Sequence, residues 1–182
     1  MRLSPLTQTF VSHFGEMGSR WGINRTVGQI YALLFLSPRP LNADDIADRL
    51  GFSRSNVSMG LKELETWRLV QLRRIAGDRR EYFSTPDDIW AILRTLVEER
   101  KRREIDPTMT MLRDVLMDAP SSDDERHAQA RMRQMYELIE LLTGWFDEVE
   151  RLENRNLIQL LKLGAKVQKI LHLKDGLRKR RK

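Results

Sequence analysis

The sequence predicts a mainly α-helical protein with a small β wing, and three observations support this fold class. Apolar residues recur three and four positions apart along most of the chain. Two short helical patterns flank Gly51, a residue type that lets one helix end and another begin after a tight turn. Two strand-like runs, 69–75 and 80–84, then flank a turn that contains Gly77 and Asp78.

Composition excludes several classes of protein. The chain has 182 residues, of which 41% are hydrophobic, so it can bury a core. It has no cysteine, which excludes a disulfide scaffold, a thiolate zinc site and a cysteine nucleophile. The longest apolar run, 30–36, has seven residues, whereas a membrane-spanning helix needs about 20. Residues 1–5 lack the apolar stretch of a signal peptide, and we therefore expect a cytoplasmic protein.

Positive charge is concentrated in two places. The chain carries 32 Lys and Arg against 26 Asp and Glu, for a net charge of +6. The tail 178–182 contributes five positive charges, and removing them leaves +1 for the rest of the chain. Residues 53–84 contain seven basic and four acidic residues, a local excess of three. This local excess, rather than the overall charge, indicates a negatively charged partner.

The first two helices are predicted from caps and proline positions. Ser4 and Pro5 predict the start of a helix, and Gly15, Gly18 and Gly22 are expected to loosen the chain after it. A second helix is predicted over 26–36, and the prolines of 37–40 end it.

The next two helices form the predicted helix-turn-helix. Asn42 is a predicted N-cap, and Gly51 closes the short helix that follows it. Ser53 is predicted to cap a longer helix that ends near Trp67. Together with the hairpin at 69–84, the two helices predict a winged helix-turn-helix.

The C-terminal half is predicted to be helical throughout. The pair at 106–107 is expected to break or kink a helix, or to start a new one with Asp106 as cap. Residues 119–122 form the clearest linker, Ser122 caps a long helix, and Gly144 and Asn154 are candidate interruptions. The predicted organisation is an N-terminal helix in contact with a second subunit (1–25), the winged helix-turn-helix (26–86), a helical dimerisation and effector region (87–176) and a basic tail (177–182).

The second helix of the helix-turn-helix carries the residue types that read DNA. At about 100° per residue, Val57, Leu61 and Leu64 share one face, which predicts a buried side. The opposite side is small, polar and basic, and we predict that it enters the major groove, where an asparagine can read adenine and a methionine can touch a thymine methyl. The predicted DNA-binding residues of this helix are Ser53, Arg54, Ser55, Asn56, Ser58, Met59 and Lys62. The alternative is an ordinary amphipathic surface helix, which explains Lys62 but not the polar residues of the first turns.

The hairpin adds a cluster of arginines around its turn: Arg73, Arg74, Arg79 and Arg80. An arginine at the tip of such a wing can enter the minor groove of A·T-rich DNA. Asp78 can hold the guanidinium of Arg80 in place through a charge-assisted hydrogen bond. The alternative is a solvated tip whose charges keep an edge strand from aggregating.

Several of these segments resemble the MarR superfamily of winged-helix regulators, and more closely its GbsR-like branch. The matching segments are 40–47 (PLNADDIA), 53–58 (SRSNVS), 77–82 (GDRREY), 87–90 (DDIW) and 99–107 (ERKRREIDP). The resemblance covers about residues 5–118. It implies a homodimeric transcriptional regulator, usually a repressor and often released by a small ligand. Arg80 stands where the family's Asp-x-Arg motif places its arginine, but 82–85 (YFST) departs from the Leu-Thr pair of many members.

Dimerisation and ligand binding are separate expectations. Leucines of the last predicted helix, among them Leu157, Leu160, Leu161 and Leu171, can pack on a partner helix or fold back on their own domain. Aromatic residues can form a cage for a cation, although aromatics at helical spacing are more often core. The candidates for this effector pocket are Trp21, Tyr31, Trp67 and Trp90, with Tyr136 and Trp145 as further members.

Catalysis and cofactor binding are not predicted. His13, His127 and His172 lie in separate segments without metal-ligand spacing, and no glycine-rich phosphate loop is present. The expected partners are double-stranded DNA with a palindromic operator, a second copy of the chain and a small effector. The alternative function is an architectural or protein-interaction winged helix, for which the exposed helix face would be more apolar.

Overall fold

The computed structural model describes residues 3–164, and the chain divides into two compact units, Met1–Glu99 and Arg100–Lys182. The basic tail and the predicted leucine contact at Leu171 lie outside the described residues. The fold is mainly helical with one small antiparallel sheet, which confirms the predicted fold class. No helix within residues 3–164 is both long and apolar enough to cross a bilayer.

The first unit contains five helices among its described residues and a three-stranded sheet. The helices are α1 (Pro5–Arg20), α2 (Arg25–Leu36), α3 (Ala43–Leu50), α4 (Arg54–Thr66) and α5 (Ile89–Arg100), the last of which ends one residue beyond the unit. The strands are β1 (Leu41–Asn42), β2 (Gln71–Arg74) and β3 (Glu81–Ser84). β3 is the central strand, where Phe83 pairs with Leu41 of β1 and with Leu72 of β2.

The second unit is described as far as residue 164 and contains long helices. A π-helical turn (Lys101–Ile105) joins α5 to α6 (Asp106–Met117), and α7 (Asp123–Glu150) follows, with further helical residues at 154–164. α6 packs on α7, and Lys101 donates a hydrogen bond to Asp147. Gly144 lies inside α7 and does not interrupt it, whereas the chain leaves the helix at 151–153, just before Asn154.

Predicted caps are present at the starts of the helices. The Oγ of Ser4 accepts a hydrogen bond from the N–H of Thr7, and Asn42 forms a reciprocal capping box with Asp45. The Oγ of Ser53 accepts from the N–H of Asn56 at 3.3 Å. Each cap satisfies a backbone donor that the first turn of a helix leaves unpaired, so the helix starts follow directly from local sequence.

The expectation that glycines loosen the chain after residue 15 was wrong. α1 continues to Arg20, and Gly15 and Gly18 are buried where α1 crosses α2. A Cβ on Gly28 of α2 would lie 2.9 Å from the carbonyl oxygen of Phe14, closer than real contacts allow. These glycines therefore let two helix backbones approach each other, and only Gly22 takes the left-handed conformation that ends the helix, with φ +78°.

The chain also continues through Asp106 and Pro107 without a break. Asp106 has helical dihedral angles and is the first residue of α6, so it does not act as an N-cap. A π-helical turn directly precedes α6, and Pro107 lies in the first turn of α6, where its missing N–H is tolerated. The predictions of a break and of an Asp106 cap were therefore wrong.

Candidate nucleic-acid interface

The core of the first unit holds α4 by one face. Val57, Leu61 and Leu64 are buried, as their spacing predicts, and they join a core that includes Ile30 and Ile46. Gly60 allows close contact, because a Cβ at this position would lie 2.6 Å from Cδ1 of Ile30. The buried face fixes the axis of α4, and the opposite face therefore projects from the unit.

The projecting face of α4 carries the predicted reading residues. Asn56 and Lys62 are exposed, and Met59 is 63% exposed, which is high for a large apolar side chain. Ser55 is also exposed and its Oγ lies 3.1 Å from that of Ser53, whereas Ser58 is half-buried. Within residues 3–164, the side chains of Asn56 and Lys62 form no hydrogen bond or ion pair. Their polar atoms are available to a ligand.

Arg54, at the start of α4, is held by an acidic residue of α3. Its Nη1 lies 2.6 Å from Oδ1 of Asp44, and both side chains are exposed. The ion pair joins the two helices of the helix-turn-helix, and the ten-residue separation gave no sequence signal for it.

The C-terminal end of α4 is a Schellman motif formed without glycine. The N–H of Arg68 donates to the carbonyl of Glu65, and the N–H of Leu69 donates to that of Leu64. Arg68 takes the left-handed conformation with φ 56°, which usually selects glycine. Its guanidinium contacts both carboxylate oxygens of Glu98 at 3.2 Å. This turn leads the chain from α4 into the wing, which consists of β2, β3 and residues 75–80.

The tip of the wing is organised around Asp78. Its carboxylate accepts hydrogen bonds from Nε of Arg80 at 3.0 Å, from Nη2 of Arg80 at 2.6 Å and from the backbone N–H of Arg80 at 2.9 Å. The hydroxyl of Tyr82 donates to the same carboxylate at 2.8 Å. The hydrogen bonds from Arg80 hold the pKa of Asp78 far below its usual range, and those to Asp78 raise the pKa of Arg80. The pair is therefore charged at every physiological pH.

The other arginines of the wing differ in how they are held. Nε of Arg73 donates to Oγ of Ser84 at 3.1 Å, and Nη2 of Arg74 lies 3.9 Å from Oε1 of Glu81 on the paired strand. Arg79 is exposed, and no ion pair to it occurs within the described part of the chain. The structure thus brings all four predicted arginines to one hairpin. Ser84 and Tyr82 are the polar contacts that the sequence analysis did not assign.

The candidate effector aromatics lie on different elements. Trp21 follows the end of α1 and is 61% exposed, Trp67 follows the end of α4, and Trp90 is half-buried in α5. Tyr31 lies in α2, where its ring stacks on that of Phe35 with centroids 6.3 Å apart. Tyr136 and Trp145 belong to α7 in the second unit. Among residues 3–164, no group of three acidic or histidine side chains has the arrangement of a metal site.

Comparisons with known proteins agree with this geometry. Residues 21–81 match the model of the MarR family. The chain is 20% identical over 146 residues to the HTH-type transcriptional repressor GbsR of Bacillus subtilis, covering 78% of this chain and 81% of that protein. It is 18% identical over 138 residues to the putative HTH-type transcriptional regulator YvaV of the same organism, covering 76% and 78% of the two chains. A crystal structure of a transcriptional regulator matches with a TM-score of 0.54 and 21% identity, covering 79% of this chain and 99% of that one.

The fold and its projecting polar helix define a winged helix-turn-helix protein. More specifically, the matched segment and both Bacillus relatives agree with the resemblance to the MarR superfamily drawn from its motifs. The relatives are transcriptional regulators rather than enzymes, and the prediction that this chain has no catalytic activity agrees with them.

Proposed function

We propose that the protein is a cytoplasmic, homodimeric repressor that binds a palindromic operator and releases it when a small ligand binds. The observation that carries this proposal is the exposed polar face of α4. The side chains of Asn56 and Lys62 on this face form no hydrogen bond or ion pair within residues 3–164. A buried opposite face supports a fixed orientation for these side chains, which base recognition requires.

The proposal assigns different roles to α4 and to the wing. Asn56 and Met59 read base edges in the major groove, and Lys62, one turn further along, binds phosphate. The wing places Arg80 in the minor groove, with Asp78 as its support, while the other arginines bind the flanking backbone. The full set of proposed DNA-binding residues is Ser53, Arg54, Ser55, Asn56, Ser58, Met59, Lys62, Arg73, Arg74, Arg79 and Arg80.

An apolar stripe on α7 supports the homodimer. Large apolar side chains that are 42–70% exposed lie on a different face from the half-buried positions of the helix: Met135, Leu138, Leu141, Leu142, Trp145 and Phe146. A stripe of this size is more typical of a protein interface than of a solvated surface. Light scattering at micromolar concentration should give the mass of a dimer. A monomer mass would contradict this part of the proposal.

Repression and ligand release form the finer part of the proposal. The similarity to a repressor supports the sign of regulation. The aromatic residues Trp21, Tyr31, Trp67 and Trp90 are the proposed contacts for a ligand, for which quaternary ammonium and aromatic compounds are suitable probes. A compound that raises the melting temperature and weakens DNA binding would support ligand release. If no compound of the set does either, the ligand pocket should be abandoned.

The central experiment is selection of bound duplexes from a random pool at physiological salt, followed by binding measurements on variants. Asn56→Ala should change the enriched sequence as well as the affinity, whereas Lys62→Ala should weaken binding to all sequences alike. Arg20→Ala removes an exposed charge at the end of α1 and is the matched control for Lys62→Ala. An enriched palindrome is expected. Binding without enrichment would favour an architectural winged helix.

A further inference from the structure

Tyr82 occupies an unusual position in the wing. It lies in the central strand, β3, where it pairs with Asn42 on one side and with Arg73 on the other. The residue is only 9% exposed, so its ring is anchored in the unit. Its hydroxyl nevertheless reaches the tip of the wing and donates to Oδ2 of Asp78 at 2.8 Å.

The same side chain also contacts the arginine that Asp78 holds. The guanidinium carbon of Arg80 lies 5.6 Å from the centroid of the Tyr82 ring, which is within cation–π range. Asp78 and Arg80 lie in an exposed turn, and their mutual contacts would leave the pair free to swing as a unit. Tyr82 connects this pair to a buried strand at two points, through its hydroxyl and through its ring.

One edge of the Arg80 guanidinium is not in contact with Asp78. Nε and Nη2 are engaged by Asp78, whereas Nη1 has no hydrogen bond within residues 3–164. An arginine held along one edge presents its other edge in a fixed direction. Orientation before binding lowers the entropy that DNA binding would otherwise cost.

We propose that Tyr82 is a positioning residue that fixes Arg80 for entry into the minor groove of duplex DNA. This inference rests on the proposed DNA-binding function of the wing. Within residues 3–164, Asp78 accepts the hydrogen bonds that Arg80 donates, and Tyr82 sets the direction in which the pair points.

Tyr82→Phe tests the proposal because it keeps the buried ring and removes only the hydroxyl. We expect about three- to tenfold weaker binding to the duplex enriched by selection, the usual effect of one lost hydrogen bond. In an Arg80→Ala background, the same change should have almost no effect, because the side chain that it positions is absent. Ser37→Ala, which removes a hydroxyl that donates to the backbone carbonyl of Arg39 at 2.7 Å, is the control for loss of one hydroxyl hydrogen bond elsewhere in the unit.

A second readout does not depend on DNA. NMR relaxation of the Nε–H group of Arg80 should show a rigid side chain in the wild type and a more mobile one in Tyr82→Phe. Equal rigidity in the two proteins would overturn the proposal, as would an equal loss of affinity with and without Arg80. If Arg80→Ala does not weaken binding, the proposed function of the wing fails as well. If Arg80→Ala weakens binding and Tyr82→Phe does not, only the role of Tyr82 fails.

Discussion

Helix α4 and the wing hold their polar side chains in opposite ways. In α4, Asn56 and Lys62 have no partner within residues 3–164, and the helix backbone is fixed by three buried residues on its other face. In the wing, all four residues of β2 are exposed, and Arg80 is held by contacts with Asp78 and Tyr82. A rigid backbone can present free side chains accurately, whereas an exposed hairpin needs contacts among its own side chains to do so.

The largest effect is expected when a buried side chain that fixes α4 is truncated. Leu61→Ala should lower the free energy of unfolding by about 2–5 kcal/mol, because Leu61 is buried and its loss leaves a cavity. Leu72→Ala makes the same change in β2, where the side chain is 40% exposed, and should cost about 1 kcal/mol or less. Urea denaturation of both variants measures the difference. Equal losses would mean that the wing is as dependent on buried packing as the helix.

Alkaline pH should weaken the same core. Burial raises the pKa of Tyr31 in α2 from 10.0 to about 12, and its hydroxyl has no hydrogen-bond partner in the described chain. Because the unfolded state loses this proton first, the contribution to stability is complete below about pH 10 and is lost as pH rises towards 12. The loss relative to Tyr31→Phe should be about 1.4 kcal/mol per pH unit in this window. Parallel stability curves for the two proteins would contradict the prediction.

Removing one charge from the wing tests its internal support. Asp78→Asn should weaken binding to the enriched duplex about three- to tenfold, because Arg80 loses its charged partner. Asp44→Asn is the matched control, since it removes the same charge beside Arg54 at the start of α4. The control should bind DNA as well as the wild type or better. Tighter binding by Asp78→Asn would show that Asp78 only repels phosphate.

The smallest effect is expected at the turn that connects α4 to the wing. Arg68→Ala and Arg68→Gly both remove the contacts with Glu98, but only glycine relieves the left-handed backbone with φ 56°. Arg68→Gly should therefore be about 1 kcal/mol more stable than Arg68→Ala. Thermal or urea unfolding of the two variants decides the matter. Equal stabilities would mean that the turn has no backbone strain.

Local sequence signals predicted the helix starts and the buried face of α4. Ser4, Asn42 and Ser53 each cap a helix by contacting a backbone group three residues away, so their effect is visible in a short segment. The division of α4 into buried and exposed faces followed in the same way from its periodicity. The arginine cluster and Asp78 were recognised because they lie within eight residues of one another.

Other features depend on contacts between distant segments. β1 has only two residues and exists because β3 pairs with it, and the ion pair of Arg54 with Asp44 requires the packed helix-turn-helix. Glycine spacing in α1 predicted flexibility, which was wrong because the contact of these glycines with the crossing helix α2 is not visible in a local segment of sequence. The Schellman turn at Arg68 lacks its usual glycine, so no residue type in this segment indicated a left-handed conformation.

The pairing of Arg80 with Asp78 has a consequence for the ions around the DNA. A free cationic side chain that binds phosphate releases condensed counterions, and this release is what makes protein–DNA affinity fall with added salt. If Arg80 binds the duplex as proposed, it does so while paired with the carboxylate of Asp78, so the pair would be nearly neutral and would displace few cations. Arg79 and Lys62 carry no such companion within residues 3–164. In the proposed complex, Arg80 would therefore add to the affinity for DNA, and the salt dependence of binding would come mainly from Arg79 and Lys62.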